Sequence, residues 1–405
     1  MNKNKINMIM PKTIYLLRAE KNPFAPNGEC SPQGRAEYNI YYDNIIYPFG
    51  SAVNIEICCK YGMDHGRFWR FDGICEEDAF SLVIQVRSPF GALILEHECV
   101  IRMVNNPNKE INLLCVGDSM TRAGVYIARV TQVMAYVNAI GTRGFDGKGF
   151  CEGRGGWTLK QYFERVNAPE GVSPFLFPEN IKGDEYFGDL EFWRTVLSEK
   201  GDGYDYIGFQ KTAEWILQKK IINTHIEGEY EFNFSKYISK YKSLNNIGKV
   251  DIVSILFGAN DFKNICYDDS EAKIQENLKL LEELIKSVKG FDPDISVMIN
   301  LPVLSGKYGA EDYTGEKRRY DYHMLSYSKE ILEKWDTDEA YESGIFVVPM
   351  HAMTDCRFGF SVDSISQGKY SNIKQPIVSE WVHPSKSGYS QMGDALLGAL
   401  AATVK

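Results

Sequence analysis

A serine, an asparagine and a histidine, far apart in the chain but each beside an apolar run or a helix start, are the residues with chemistry to offer. Ser119 lies in Gly117-Asp118-Ser119-Met120-Thr121, directly after Ile111-Asn112-Leu113-Leu114-Cys115-Val116. The run reads as a buried parallel strand, and Arg122 to Met134 reads as a helix. A serine on a tight strand-to-helix turn stands clear of the sheet, its hydroxyl near the positive end of the helix dipole. That setting suits a nucleophile on which negative charge develops. His383 lies in Ser379-Glu380-Trp381-Val382-His383-Pro384-Ser385, just before the last helix, and is the candidate base. Glu380, three residues earlier, could fix the ring and stabilise the imidazolium. Asn260, in Gly258-Ala259-Asn260-Asp261 after the strand ending at Phe257, could donate an amide N–H to an oxyanion. The glycines of Cys151-Glu152-Gly153-Arg154-Gly155-Gly156-Trp157-Thr158 could let a backbone N–H point into the same place. Taken singly, each has a plainer reading: a chance Gly-Asp-Ser, a solvent-facing helix start, a turn, a surface loop.

The elements that must position these residues alternate. From Ile111 onward, strand runs at 251–257, 295–301 and 344–349 are interleaved with helical periods at 272–288, 320–335 and 387–403. Alternation of this kind implies a parallel sheet covered on both faces. Ligands of such sheets bind beyond the carboxyl ends of the strands. Gly117-Asp118-Ser119, Gly258-Ala259-Asn260-Asp261 and Pro349-Met350-His351 should all line that edge.

Residues 1–108 differ. Short β-rich runs at 38–41, 52–57, 80–86 and 99–104 are punctuated by turns such as Tyr61-Gly62-Met63-Asp64 and Ser88-Pro89-Phe90-Gly91. They suggest a small all-β, sandwich-like domain, with Asn105-Asn106-Pro107-Asn108 as the linker to a second domain over 109–405. Residues 160–250 interrupt the alternation with a stretch rich in aromatics, among them Phe175, Phe177, Tyr186, Phe187, Phe192, Trp193, Phe209 and Trp215. It is too long for a simple connection and reads as an insertion with some helix, either a lid or substrate wall or a peripheral subdomain with its own small core.

Taken together, the four motifs resemble the SGNH hydrolase family, also called GDSL-type esterases. That family is defined by Gly-Asp-Ser, a glycine loop, Gly-x-Asn-Asp and Asp-x-x-His in fixed order. Here they stand as Gly117-Asp118-Ser119, Gly153, Gly258-Ala259-Asn260-Asp261 and Glu380-Trp381-Val382-His383. The resemblance spans about 111–405 and implies a three-layer, flavodoxin-like α/β fold. It implies Ser119 as nucleophile, His383 as base and then acid, and an oxyanion hole from the Ser119 N–H, the Gly153 N–H and the Asn260 side chain. One departure is that Glu380 stands where the family has Asp, so the site is either a triad with a longer carboxylate or a dyad. Asp118 is read as structural. The all-β part resembles the sandwich ahead of some bacterial members that act on carbohydrates. The implied activity is hydrolysis of small acyl esters, acetyl first, on a small molecule or a glycan. The alternatives are a lipid or thioester hydrolase, and a glycan-binding module with a degenerate site.

Composition narrows the field. The chain of 405 residues has net charge −9, which disfavours a general nucleic-acid binder. No run is long and apolar enough for a membrane span, and no signal-peptide pattern is seen, which points to the cytoplasm. Nine cysteines without Cys-x-x-Cys spacing fit reduced thiols. Neither a zinc motif nor a phosphate-binding loop occurs, so no metal or cofactor is expected. Gly-x-Ser-x-Gly is missing, which disfavours the α/β-hydrolase fold. His351 and Asp355 follow a strand, but a packed histidine is the favoured reading. Cys151 adjoins the glycine loop without a catalytic assignment. The sequence leaves the oligomeric state open.

Overall fold

The computed structural model describes residues 6–19, 36–47, 52–165, 171–198, 206–219, 226–309 and 312–404. Its central sheet has the strand Ile111–Gly117 in the middle. Val137–Ile140 and Gly149–Gly153 pair with it on one side, and Ile252–Leu256, Ser296–Asn300 and Ile345–Val348 follow in order on the other. All of these pairings are parallel; Arg143–Phe145 runs antiparallel to Gly149–Gly153 at the edge. Every residue of the strands 111–117, 252–256 and 296–300 is buried. Burial on both faces explains why these strands read as continuous apolar runs rather than alternating ones. Helices supply the cover: Val125–Val133 packs on Lys386–Ala402, and Ser270–Phe291 on Gly315–Trp335. No helix among the described residues is long and apolar enough to cross a membrane.

The register brings Gly117 opposite both Gly153 and Leu256. Three of the motif-bearing segments therefore leave the sheet at one level. The helix expected from Arg122 to Met134 starts earlier and is broken. A one-turn helix, Ser119–Ala123, ends at Gly124, which takes a left-handed φ of 67°, and a second helix runs Val125–Val133. A side chain at Gly124 would strike the Phe145 ring, so the break lets the turn pack closely on the neighbouring hairpin.

In the N-terminal region, Thr13–Leu17, Leu93–Val104, Ala79–Arg87 and Asn54–Cys59 form a four-stranded sheet, and Tyr38–Tyr41, Phe68–Phe71 and Met63–Asp64 a three-stranded one. The strand Thr13–Leu17 carries no turn-bounded β-rich run in the sequence reading. It is parallel to 100–104 and lies on the last helix, where Gly398 meets the Tyr15 carbonyl. Further buried contacts tie this region to the α/β part. Asn44 donates to the carbonyls of His351 and Thr354, and Arg67 makes a two-pronged bond to Asp355 at 3.0 and 2.6 Å. His351 points at the Ile9 carbonyl, 3.0 Å away, and burial holds its imidazole down at about 4. His351 and Asp355 are thus part of a packed junction.

Candidate active site

Ser119 is the first residue of its one-turn helix, so its own N–H has no acceptor within that helix. Asp118 caps the helix by accepting the Met120 N–H at 2.9 Å. The Gly117 carbonyl just before it is held by the Arg154 N–H and the Tyr162 hydroxyl, both at 2.9 Å. The Ser119 turn is thereby fixed from three sides. Ser119 Oγ lies 2.8 Å from His383 Nε2. This is the distance at which a base can take a hydroxyl proton.

On the other side, His383 Nδ1 is 3.2 Å from Glu380 Oε1. The same oxygen accepts the backbone N–H groups of Val382 and His383 at 3.3 and 3.4 Å. Glu380 therefore both ties its own turn and faces the imidazole. Its side chain is 59% exposed and that of His383 41%, so water screens their interaction.

Asn260 opens out from the short helix Ala259–Phe262, and its Nδ2 donates to the Trp157 carbonyl at 3.0 Å. That bond uses one of two amide hydrogens and docks the glycine loop against Asn260. The loop itself departs from expectation at Gly153. The Gly153 N–H is directed at Cys151 Sγ, 3.4 Å away, and a Cβ built on Gly153 would sit 2.2 Å from the Arg122 nitrogen. Gly153 is a glycine because the strand end must touch the helix that begins at Ser119, and its N–H is turned inward. Gly155 and Gly156, half-buried and exposed, come next. Arg154 to Trp157 form a turn, and Gly156 has φ 76° with no atom within 4 Å of where a Cβ would be. A signal for this was present in the sequence, since a side-by-side glycine pair is a stronger mark of an exposed backbone than one glycine beside a cysteine.

Beneath the site lie groups the sequence reading did not single out. Glu152 and Arg154, which flank Gly153, form a fully buried ion pair at 2.9 Å. Glu152 also accepts from the Thr142 N–H and hydroxyl and from the Tyr237 hydroxyl at 2.8–2.9 Å. Tyr237 belongs to the inserted segment, whose Phe175, Phe177, Tyr186, Phe187, Trp193 and Phe209 are all buried. Asp189 and Lys240 pair at 3.2 Å inside it, and the Arg143 guanidinium stacks on Phe192 and Trp193. Its aromatics thus build a core that grips the glycine loop. Asp118 and Asp261 are also buried. Burial, reinforced by the other's charge, pushes the Asp118 carboxyl up to about 7 against the pull of the Met120 N–H. Burial raises Asp261 to about 6, although it accepts the Leu159 N–H.

Residues 113–396, well over half the chain, match the family described as GDSL-like lipase/acylhydrolase. The chain belongs to this family. As a member of it, the chain is a carboxylic ester hydrolase. Among solved structures it is similar to a lipase/acylhydrolase from Enterococcus faecalis, at 13% identity and TM-score 0.34, over 73% of this chain and 97% of that one. It is similar to a carbohydrate acetylesterase family member from Sinorhizobium meliloti, at 10% identity and TM-score 0.34, over 73% and 99%. A family 3 carbohydrate esterase from Clostridium thermocellum matches at 13% identity and TM-score 0.33, over 72% and 100%. No curated protein matches the chain.

Proposed function

We propose that this GDSL-type hydrolase removes small acyl groups, acetyl foremost, from a carbohydrate through an acyl-enzyme on Ser119. The observation that carries the reading is the 2.8 Å contact of Ser119 Oγ with His383 Nε2. His383 takes the hydroxyl proton as Oγ attacks the ester carbonyl. Collapse of the tetrahedral intermediate breaks the bond to the alcohol oxygen, which receives that proton from His383. Water then repeats the sequence on the acyl-enzyme, with His383 again as base. Negative charge on the carbonyl oxygen is met by the Ser119 N–H, the Asn260 amide and a glycine-loop N–H, which we assign to the Gly155-Gly156 turn in place of Gly153. Glu380 orients His383 as a weak third member.

Two features favour a short acyl group on a bulky alcohol. The floor under the turn is filled by buried Asp118, Trp157, Tyr162 and Phe257, which leaves the acyl group to lie near the surface. The His383 side is open to solvent, which accommodates a sugar. A degenerate, non-catalytic site would separate the serine from the histidine, and the geometry speaks against that reading.

The test is hydrolysis of p-nitrophenyl acetate and p-nitrophenyl octanoate by the parent and by Ser119→Ala. Ser119-dependent turnover that favours acetate is the expected result. Ser119-dependent preference for octanoate would redirect the assignment to lipid or thioester esters. Activity that survives in Ser119→Ala would remove Ser119 from the chemistry.

A further inference from the structure

Two buried lysines behind the histidine loop are matched with carboxylates. Lys307 bonds Asp321 at 2.8 Å and Lys317 bonds Asp312 at 2.8 Å, all four residues buried. Lys263 is different. It follows the short helix that carries Asn260, and it is half-buried. Its ammonium rests over the ring of Trp381, 5.4 Å from the centroid. No hydrogen bond or ion pair engages it among the described residues, so the ring is its one partner.

Trp381 stands between Glu380 and His383 in the sequence, and its ring is braced edge-on by buried Tyr320 at 5.2 Å. Lys263 therefore bridges two sides of the site, three residues beyond Asn260 and against the loop that holds His383. The acidic side chain of that loop, Glu380, is already engaged by the imidazole and two backbone amides. An aromatic face is a weak tether for an ammonium, so Lys263 can swing to a better anion without breaking an ion pair.

We propose that Lys263 is a specificity-determining residue that receives a negatively charged group on the alcohol half of the ester. The alcohol half is indicated because His383, whose loop supports Lys263, delivers the proton to the leaving oxygen. The substrate class is then an acylated alcohol bearing a carboxylate, sulfate or phosphate, with an acidic sugar as the form that also uses the Trp381 surface. This rests on the assignment of Ser119 and His383 above.

The test compares two acetate esters that differ in one charge, 4-acetoxybenzoate and its methyl ester. The readout is the ratio of their kcat/KM values, which cancels any general damage to the enzyme. Replacing Lys263→Gln is expected to lower the acid-to-ester ratio by about fivefold through KM of the acid, and Lys263→Arg to keep it within about twofold. Raising salt from about 0.02 to about 0.5 M is expected to lower the ratio for the parent but not for Lys263→Gln. A ratio equal in the parent and Lys263→Gln would overturn the proposal. Undiminished hydrolysis of both esters by Ser119→Ala would instead overturn the assignment on which it rests.

Discussion

The two halves of the site are built differently. The serine half is embedded: Asp118, Glu152, Arg154, Tyr162 and Asp261 are buried. Asp118, the Arg154 N–H and the Tyr162 hydroxyl bond the turn that carries Ser119, while Glu152 holds the Arg154 guanidinium and Asp261 accepts the Leu159 N–H. The histidine half is a solvent-facing turn in which His383 and Glu380 are 41% and 59% exposed. Immediately before it, the hairpin of Val362–Ser366 and Lys374–Val378 stands mostly exposed. On the proposed mechanism charge develops at the serine half, which is where preorganisation needs rigid donors. His383, as the proposed base, would shuttle a proton and admit the alcohol, which an open turn permits.

On this contrast, damage to the buried supports of the serine half shows as lost stability, damage to a donor that those supports hold toward the substrate shows as lost rate, and damage to the exposed histidine turn costs little of either. The largest effect is expected from Arg154→Ala. It leaves the Glu152 carboxylate buried without its cation, which typically costs about 3–5 kcal/mol. Urea denaturation should show it, and a loss under about 1 kcal/mol would refute the idea that this pair anchors the glycine loop. Next comes Asn260→Ala, with kcat down about 10²–10³-fold as for one oxyanion donor. An unchanged kcat would leave Asn260 as only a clamp on Trp157. Glu380→Gln should reduce kcat/KM by no more than about tenfold with a stability change of a few tenths of a kcal/mol, because exposed pairs are worth little. A fall of several orders of magnitude would show that the exposed carboxylate closes onto His383 when substrate binds.

These halves were also unequally legible in the sequence. The sheet strands at 111–117, 252–256 and 296–300 stood out because burial on both faces makes each a continuous apolar run. The Ser119–His383 pairing was legible because a fixed order of motifs at strand ends forces them to one edge of a parallel sheet. Gly153 misled, because a glycine needed for close packing and a glycine needed for an open N–H look alike in sequence. Only the register of 149–153 against 111–117 tells them apart. The Glu152–Arg154–Tyr237 network was invisible for another reason. Tyr237 is 85 residues from Glu152, and charged residues in sequence are read as surface by default. The strand 13–17 was missed because Pro11, Lys12 and Arg18 bracket it too closely for a run to stand out.

The smallest expected effect probes the buried half through pH. Asp118 is raised to about 7, chiefly by burial, and Asp261 to about 6 for the same reason, from a model-peptide value of 3.8. Between those values the folded protein holds more protons than the unfolded chain, so stability falls as pH rises. The contribution is fully present below about pH 4 and is lost as pH passes through 6 to 7. Asp118→Asn keeps an oxygen for the Met120 N–H but removes one ionisable group and the repulsion between the pair. Its melting temperature should therefore fall less than the parent's between about pH 5 and pH 8, by a few degrees. Parallel curves for the two proteins would mean that Asp118 ionises as freely in the fold as out of it. The embedded half would then be wetter beneath Ser119 than its burial implies, and the contrast with the histidine half correspondingly smaller.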